Sequence, residues 1–200
     1  MDAQFVIEGA GGHASSPPPH TGIGRLAAAV TRIEAKPFPV KLTKPVAEMF
    51  DTLGRRSSFA FKLIFANLWC FLPVLDAMCK KSGGELNAMM RTTCAFTMAE
   101  GSKASNVLPP RARMVANLRI ISGETIDSTL ARLKTLVADD GITTSLMHGT
   151  DPCRISRTEG YGWEKLTKAI AQTWPNAEVS PYLMIAASDS RHYSAISENV

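Results

Sequence analysis

Cysteine is sparse in this chain of 200 residues: Cys70, Cys79, Cys94 and Cys153 include no Cys-x-x-Cys pair. That excludes a metal knuckle and argues against a disulfide framework. Each lies in an apolar or mixed stretch, so buried free thiols in a reducing cytoplasm are expected. Metal-ligand patterns are missing too. The histidines His13, His20, His148 and His192 fall in no His-x-Asp or His-Glu-x-x-His arrangement, and there is no Glu-Glu pair, so no three- or four-ligand site assembles. A Gly-x-Ser-x-Gly elbow and a phosphate loop are also absent. Charge of one sign never accumulates: 22 basic and 18 acidic residues give +4 without a run of five like charges. No nucleic-acid partner is therefore expected, the more so because aromatics do not alternate with basic residues on the expected strands. The apolar run from Phe59 to Met78 is broken by Lys62, Asn67, Pro73 and Asp76, which fits poorly with the roughly 20 predominantly apolar residues of a membrane-spanning helix. A buried or interface helix pair, and no membrane partner, is the expectation. No basic segment followed by an apolar one marks a signal peptide at the N-terminus, so a cytoplasmic protein is expected.

What is present suits a globular fold, with 45% hydrophobic and 20% charged residues, enough to bury a sizeable core. Gln4 to Glu8 alternates as a short strand and runs into Gly9-Ala10-Gly11-Gly12-His13, a turn. After Pro17-Pro18-Pro19, Thr21 is placed to cap a helix carrying Ile23, Leu26, Ala27, Val30 and Ile33 on one stripe. A segment of about 36–84 interrupts the pattern as a helical insertion ended by Ser82-Gly83-Gly84. Arg91 to Met98 alternates with Thr92, Cys94, Phe96 and Met98 on one side, and Arg113 to Ile120 does the same with Met114, Ala116, Leu118 and Ile120. The polar loop Gly101 to Pro110 between them is too long for a tight hairpin. Ile126, Leu130, Leu133 and Val137 predict a second helix stopped at Gly141, and Ile142 to Met147 a last strand. That order predicts an α+β fold: a ferredoxin-like four-stranded antiparallel sheet with two helices, carrying the helical insertion. Beyond Thr150 the pattern changes to a helix from Tyr161 to Trp174, an apolar strand through Tyr182 to Ala187, and Ser188-Asp189-Ser190-Arg191-His192-Tyr193.

Four polar positions are candidates for chemistry. His13, held next to Gly12 at a loop tip, is placed to donate a hydrogen bond to a developing oxyanion, or is a solvated loop histidine. Asn106 carries an amide able to pair with a ligand carbonyl or carboxylate, or satisfies its own turn. Arg119 is either a carboxylate clamp or a solvent-facing strand residue. Arg191, with Asp189 and His192 beside it, follows an apolar strand where open α/β sheets place ligand contacts, or lies in a surface turn.

Taken in order, Gly11-Gly12-His13-Ala14-Ser15, Ile23-Gly24-Arg25-Leu26, Arg91-Thr92-Thr93 with Thr97-Met98, Asn106-Val107-Leu108-Pro109, Asn117-Leu118-Arg119 and Ser188-Asp189-Ser190-Arg191-His192-Tyr193 resemble one family. It is the zinc peptidase family of aminoacylase, carboxypeptidase S, glutamate carboxypeptidase and succinyl-diaminopimelate desuccinylase. The resemblance implies a lid (dimerisation) domain over 1–149 and part of an α/β catalytic domain over 150–200. It further implies a homodimer formed through the lid and a two-zinc centre, in which metal-bound water attacks an amide. The substrates implied are small peptides or N-acyl amino acids. His13 is implied to stabilise the oxyanion, commonly in the partner subunit's site, while Asn106, Arg119 and Arg191 hold the substrate carbonyl or carboxylate. Gly12, Asp189 and His192 would support them. The ligand motifs of that family are not found here, so this chain by itself is expected to bind no zinc and to hydrolyse nothing. The alternative is a stand-alone ferredoxin-like dimerisation or small-ligand-binding module.

Overall fold

The computed structural model describes every residue from Met1 to Val200 except Ala187 and Asn199. In chain order the elements are β1 (Asp2–Glu8), β2 (Gly12–His13), α1 (Gly22–Glu34), α2 (Lys44–Arg56), α3 (Phe59–Ala66), α4 (Leu68–Ser82), α5 (Gly84–Met90), β3 (Thr93–Glu100), β4 (Val107–Leu108), β5 (Arg111–Arg119), α6 (Ile126–Val137), β6 (Ile142–His148), α7 (Tyr161–Thr173) and α8 (Ser190–Tyr193). They group into two compact units, one of Met1–Pro39 with Thr92–Pro152, the other of Val40–Arg91 with Cys153–Val200.

In the first unit the sheet runs in the order β3-β5-β1-β6, with every neighbouring pair antiparallel. Strand alternation sends Ala3, Phe5 and Ile7 of β1 and Ala112, Ala116 and Leu118 of β5 to one face. There they meet Leu26, Ala29 and Ile33 of α1 and Leu133 and Val137 of α6 in a single buried cluster. This is the split βαβ sandwich expected from the order of elements. Thr21 caps α1 by accepting from the Gly24 amide at 3.1 Å, and Thr125 and Ser128 close a reciprocal capping box on α6. Two arginines of α1 reach across to the end of α6. Arg25 Nε donates to Asp139 Oδ2 at 2.9 Å, and Arg32 Nε donates to the Val137 carbonyl at 3.1 Å, one of the carbonyls a helix end leaves unpaired. Gly141 leaves room for the Arg25 guanidinium, which would have to shift if a Cβ were present there.

Two details differ from the sequence reading. α6 ends at Val137, four residues before Gly141, because Ala138 adopts a left-handed conformation with φ 45° and serves as the cap. In β3 the register to β5 shifts between Phe96 and Met98. The extra residue of a bulge moves everything after it to the other face, so Cys94 and Phe96 pack on the core while Met98 is exposed.

The second unit is helical. Val46, Met49 and Phe50 of α2, Leu75 and Cys79 of α4 and Met89 and Met90 of α5 form its core, lined further by Phe65, Leu183 and Ile185. Phe65 stacks on Phe50 with ring centroids 5.0 Å apart. The Arg91 side chain is buried; its Nε donates to Asn87 Oδ1 at 2.8 Å and it forms an ion pair with Asp76. Asp76 also meets Lys80 at 2.7 Å. Such a buried cation is tolerable only because it is paired. Two expectations are corrected here, for the cysteines and for the Tyr182 run, while the outward apolar faces of α3 and α4 accord with the interface half of the expected buried or interface helix pair. Of the four free cysteines only Cys79 is buried, Cys70 and Cys153 being exposed and Cys94 partly buried. α3 and α4 bend by 109° about Asn67, and several of their large apolar side chains face solvent. The run expected as a strand from Tyr182 forms none among the described residues, and its last residue, Ala187, lies outside them. A strand needs a hydrogen-bonding neighbour, and here Tyr182 is tied by its hydroxyl, which donates to Glu85 Oε1 at 2.9 Å.

Relieving the left-handed strain at position 138 is expected to outweigh the extra freedom glycine gives the unfolded chain. Ala138→Gly should therefore raise unfolding stability by about 0.5–1 kcal/mol in urea titration. The hydrogen bond from Arg25 holds the Asp139 carboxyl below its ordinary value of 3.8. A carboxylate lowered in the folded state stabilises it above the unfolded pKa, and the contribution disappears as pH falls through the folded one. Urea midpoints measured from pH 7 down to pH 2 should therefore decline below about pH 4, and Asp139→Asn should flatten that part of the decline.

Candidate functional site

The turn after β1 is built to bring two polar residues together. Gly11 sits at φ 66°, and a Cβ there would lie 3.1 Å from the Leu108 carbonyl oxygen and 3.3 Å from the Pro110 nitrogen, so glycine is needed for both its backbone angle and the close approach. The Gly9 amide donates to the Pro110 carbonyl at 2.8 Å. Beyond the turn β2 pairs with β4, setting Gly12 opposite Leu108 and His13 opposite Val107. The Ala14 amide then donates to the backbone carbonyl of Asn106 at 2.9 Å. The backbones of His13 and Asn106 are thus near neighbours at the end of an exposed two-stranded ribbon. The long loop was identifiable from the sequence, but this pairing was not.

His13 is oriented by its neighbour. The Ser15 amide donates to Nδ1 at 3.2 Å, and the Ser15 hydroxyl lies 2.8 Å from the same nitrogen. An amide N–H can donate only to an unprotonated ring nitrogen, so the neutral imidazole carries its proton on Nε2. The ring therefore offers an N–H donor on the side away from its own loop.

Arg119 lies at the other end of the sheet. β1 and β5 are antiparallel with Glu8 opposite Arg111 and Asp2 opposite Asn117. Eight residues of β5 at about 3.3 Å each put roughly 26 Å between the end that leads into the His13 turn and Arg119. Around Arg119 the sheet carries a polar row that sequence reasoning passed over. Asn117 Nδ2 donates to Asp2 Oδ1, and His148 Nε2 lies 2.8 Å from Asp2 Oδ2. Asn117 and Arg119, two residues apart, share a face, and that spacing was the one available signal. The placement of Asp2 and His148 beside them depends on register, including the shift between Asp2 and Ala3 against β6.

Arg191 belongs to the second unit, on the single turn α8. Its Nε donates to His192 Nε2 at 3.2 Å, the His192 amide donates to the Asp189 carbonyl at 2.9 Å, and the hydroxyls of Ser188 and Ser190 are 2.6 Å apart. All three of Asp189, Arg191 and His192 are exposed. Among the described residues no three His, Cys, Asp or Glu side chains are placed to hold a metal ion. His13 and His148 are at opposite ends of one sheet, each engaged with a different partner, and the residues here do not fit a zinc centre.

Residues 1–144 match the peptidase dimerisation domain of the M20 family, and the chain belongs to that family. The chain is 31% identical over 201 residues to a probable carboxypeptidase S-like 2 of Dictyostelium discoideum, covering all of this chain and 38% of that protein. It is 32% identical over 204 residues to the mouse N-fatty-acyl-amino acid synthase/hydrolase PM20D1, covering all of this chain and 40% of that one. The chain thus spans about two fifths of the length of these relatives. Among solved structures, the M20 metallo-carboxypeptidase Sso-CP2 of Sulfolobus solfataricus superposes with a TM-score of 0.57 at 13% identity, over 94% of this chain and 52% of that one. Human carnosine dipeptidase 1 does so at 0.55 and 11%, over 98% and 46%. These two likenesses establish the fold.

The hydrogen bond from the Ser15 amide fixes a testable state of the imidazole. In nitrogen-15 NMR of the neutral form, His13 should show a protonated Nε2 and an unprotonated Nδ1; equal populations of both tautomers would contradict the geometry.

Proposed function

We propose that this chain acts as the lid and dimerisation segment of a metal-dependent amide hydrolase acting on short peptides or N-acyl amino acids with a free carboxylate. The observation that carries the reading is the orientation of His13. Its Nδ1 is occupied by the Ser15 amide, leaving the Nε2 proton as a donor for the oxyanion that forms when water attacks an amide carbonyl. Asn106, whose backbone carbonyl accepts from the Ala14 amide, supplies a second polar contact for the substrate carbonyl, and Gly12, with open space where a side chain would stand, leaves room for a ligand to approach. Arg119 and Arg191 are the carboxylate-binding candidates, guanidinium groups being suited to bidentate contact. Asp189 and His192 would position Arg191.

The separation of His13 and Arg119 leads to the in-trans arrangement. One small substrate cannot touch both ends of a sheet that places them roughly 26 Å apart. If both residues serve one substrate, they come from two copies of the lid, and a twofold dimer supplies that twice over. The names of relatives, carboxypeptidase S-like and N-fatty-acyl-amino acid synthase/hydrolase, are in keeping with an amide substrate bearing a carboxylate. The catalytic metals, zinc in this reading, would be held by parts of the enzyme outside this chain, and no step through them is assigned to residues here.

Light scattering on the purified chain is the first test. A metal-free dimer is expected, unchanged by His13→Ala; a monomer at all concentrations would remove the basis for the in-trans reading, and zinc bound at one or two equivalents per chain on metal analysis would overturn the placement of the metals elsewhere. Within a complete enzyme containing this segment, His13→Ala should lower kcat by about 10²–10³ with little change in KM. Mixing His13→Ala and Arg119→Ala homodimers under exchanging conditions should restore up to about a quarter of wild-type activity, because half the dimers are hybrids and each hybrid has one intact site. No recovery on mixing would place both residues in the same copy's site.

A further inference from the structure

The second unit exposes a surface that a water-facing helix does not normally carry. On α4 the outward positions are Trp69, Cys70, Pro73, Val74, Ala77 and Met78, a stripe of i, i+1, i+4, i+5, i+8 and i+9 spacing with no charged group for three turns. The inward positions are apolar as well, Leu75 and Cys79 being buried and Leu68 and Leu72 packed against the helical core. α3 continues the outward surface with Phe59, Phe61 and Leu63. Phe59 is 81% exposed and Trp69 83%, so two large aromatic side chains stand almost wholly free of protein. A helix apolar on all sides belongs inside a larger protein core or in lipid.

Charge distinguishes between those two. Over residues 51–81 five basic residues, Arg55, Arg56, Lys62, Lys80 and Lys81, face two acids, Asp51 and Asp76, and none of the positions between those two acids is acidic. Asp51 pairs with Arg55, Glu178 with Arg56 and Asp76 with Lys80. Lys62, exposed on α3 among Phe59, Phe61 and Leu63, and Lys81, at the end of the α4 stripe, are in no ion pair among the described residues. A phospholipid surface meets both demands at once. Its acyl region takes the aromatic and aliphatic groups, and anionic headgroups meet lysines whose stems lie along the apolar surface.

Neither helix is long enough to span a bilayer by itself, and the bend between them breaks the pair as a straight span. α3 has 8 residues and α4 has 15, about 12 and 22 Å at 1.5 Å per residue against a hydrocarbon core of about 30 Å, and the two are bent by 109°. We propose that the α3–α4 elbow is a monotopic docking surface for anionic lipid, inserting Phe59, Phe61, Trp69, Val74 and Met78 shallowly with Lys62 and Lys81 at headgroup level.

The test is co-sedimentation of the purified chain with vesicles of phosphatidylcholine alone or mixed with phosphatidylserine. Binding is expected to the mixed vesicles, to weaken with added salt, and to be accompanied by a blue shift of tryptophan emission that Trp69→Phe abolishes. The variant Phe59→Ser/Trp69→Ser/Met78→Ser, which changes only exposed side chains and should keep the wild-type circular dichroism spectrum, is expected to lose binding by at least ~10-fold. Lys62→Glu should reduce binding to the mixed vesicles alone. The proposal is overturned if the wild-type chain leaves both vesicle types unbound, if the triple variant binds as well as wild type, or if that variant changes only the molecular mass in solution. The last result would make the surface a protein interface.

Discussion

β1 and β5 are the two inner strands of the sheet, β1 lying between β5 and β6, and the first unit is organised by the constraint that this places on β1. A central strand must satisfy its backbone on both sides and direct alternate side chains to opposite faces. Seven residues, Asp2–Glu8, therefore fix which side of the sheet α1 and α6 cover, which residues of β5 and β6 stand opposite one another, and where the chain emerges to make the Gly11 turn. The clamp from α1 to the end of α6 then closes the helical layer over the same strand. The geometry at the two ends of the sheet, with His13 beyond one and Arg119 at the other, follows from the direction in which β1 and β5 run.

The sandwich was legible because its signals are local and mutually consistent. Alternation in β1, the cap at Thr21 and the apolar stripes of α1 and α6 each announce an element, and the order of elements leaves few topologies. Where the reading failed, the deciding physics was non-local. The bulge that turns Met98 outward is a matter of register against β5, and nothing in an alternating sequence marks the slipped residue. The Tyr182 run has the composition of a buried strand but no strand beside it among the described residues, and composition does not reveal the absence of a neighbour. The α3–α4 segment has the composition of a core, and only coordinates show which of its faces are covered.

For the candidate site the balance is similar. Gly-Gly-His and Asn-Val-Leu-Pro could be singled out as loops carrying polar groups, yet their adjacency rests on a two-residue ribbon too short to leave a periodic signal. The proton position on His13 depends on the Ser15 amide two residues on, a backbone contact that no residue-type pattern encodes. Asp2 and His148 come from the two extremes of the first unit's chain path and meet only because β1 pairs with β6.

The sheet that separates His13 from Arg119 also limits how that separation can change. Lengthening β1 and β5 by a single residue would turn each subsequent side chain to the opposite face and take Arg119 off the face it shares with Asn117. Only an insertion of two residues preserves the facing, and each such pair adds about 6.6 Å. The distance between the two ends is thus quantised by the pleat. Finer adjustment of reach has to come from the segments beyond the strands, the His13 turn among them, leaving the strands themselves as a fixed gauge.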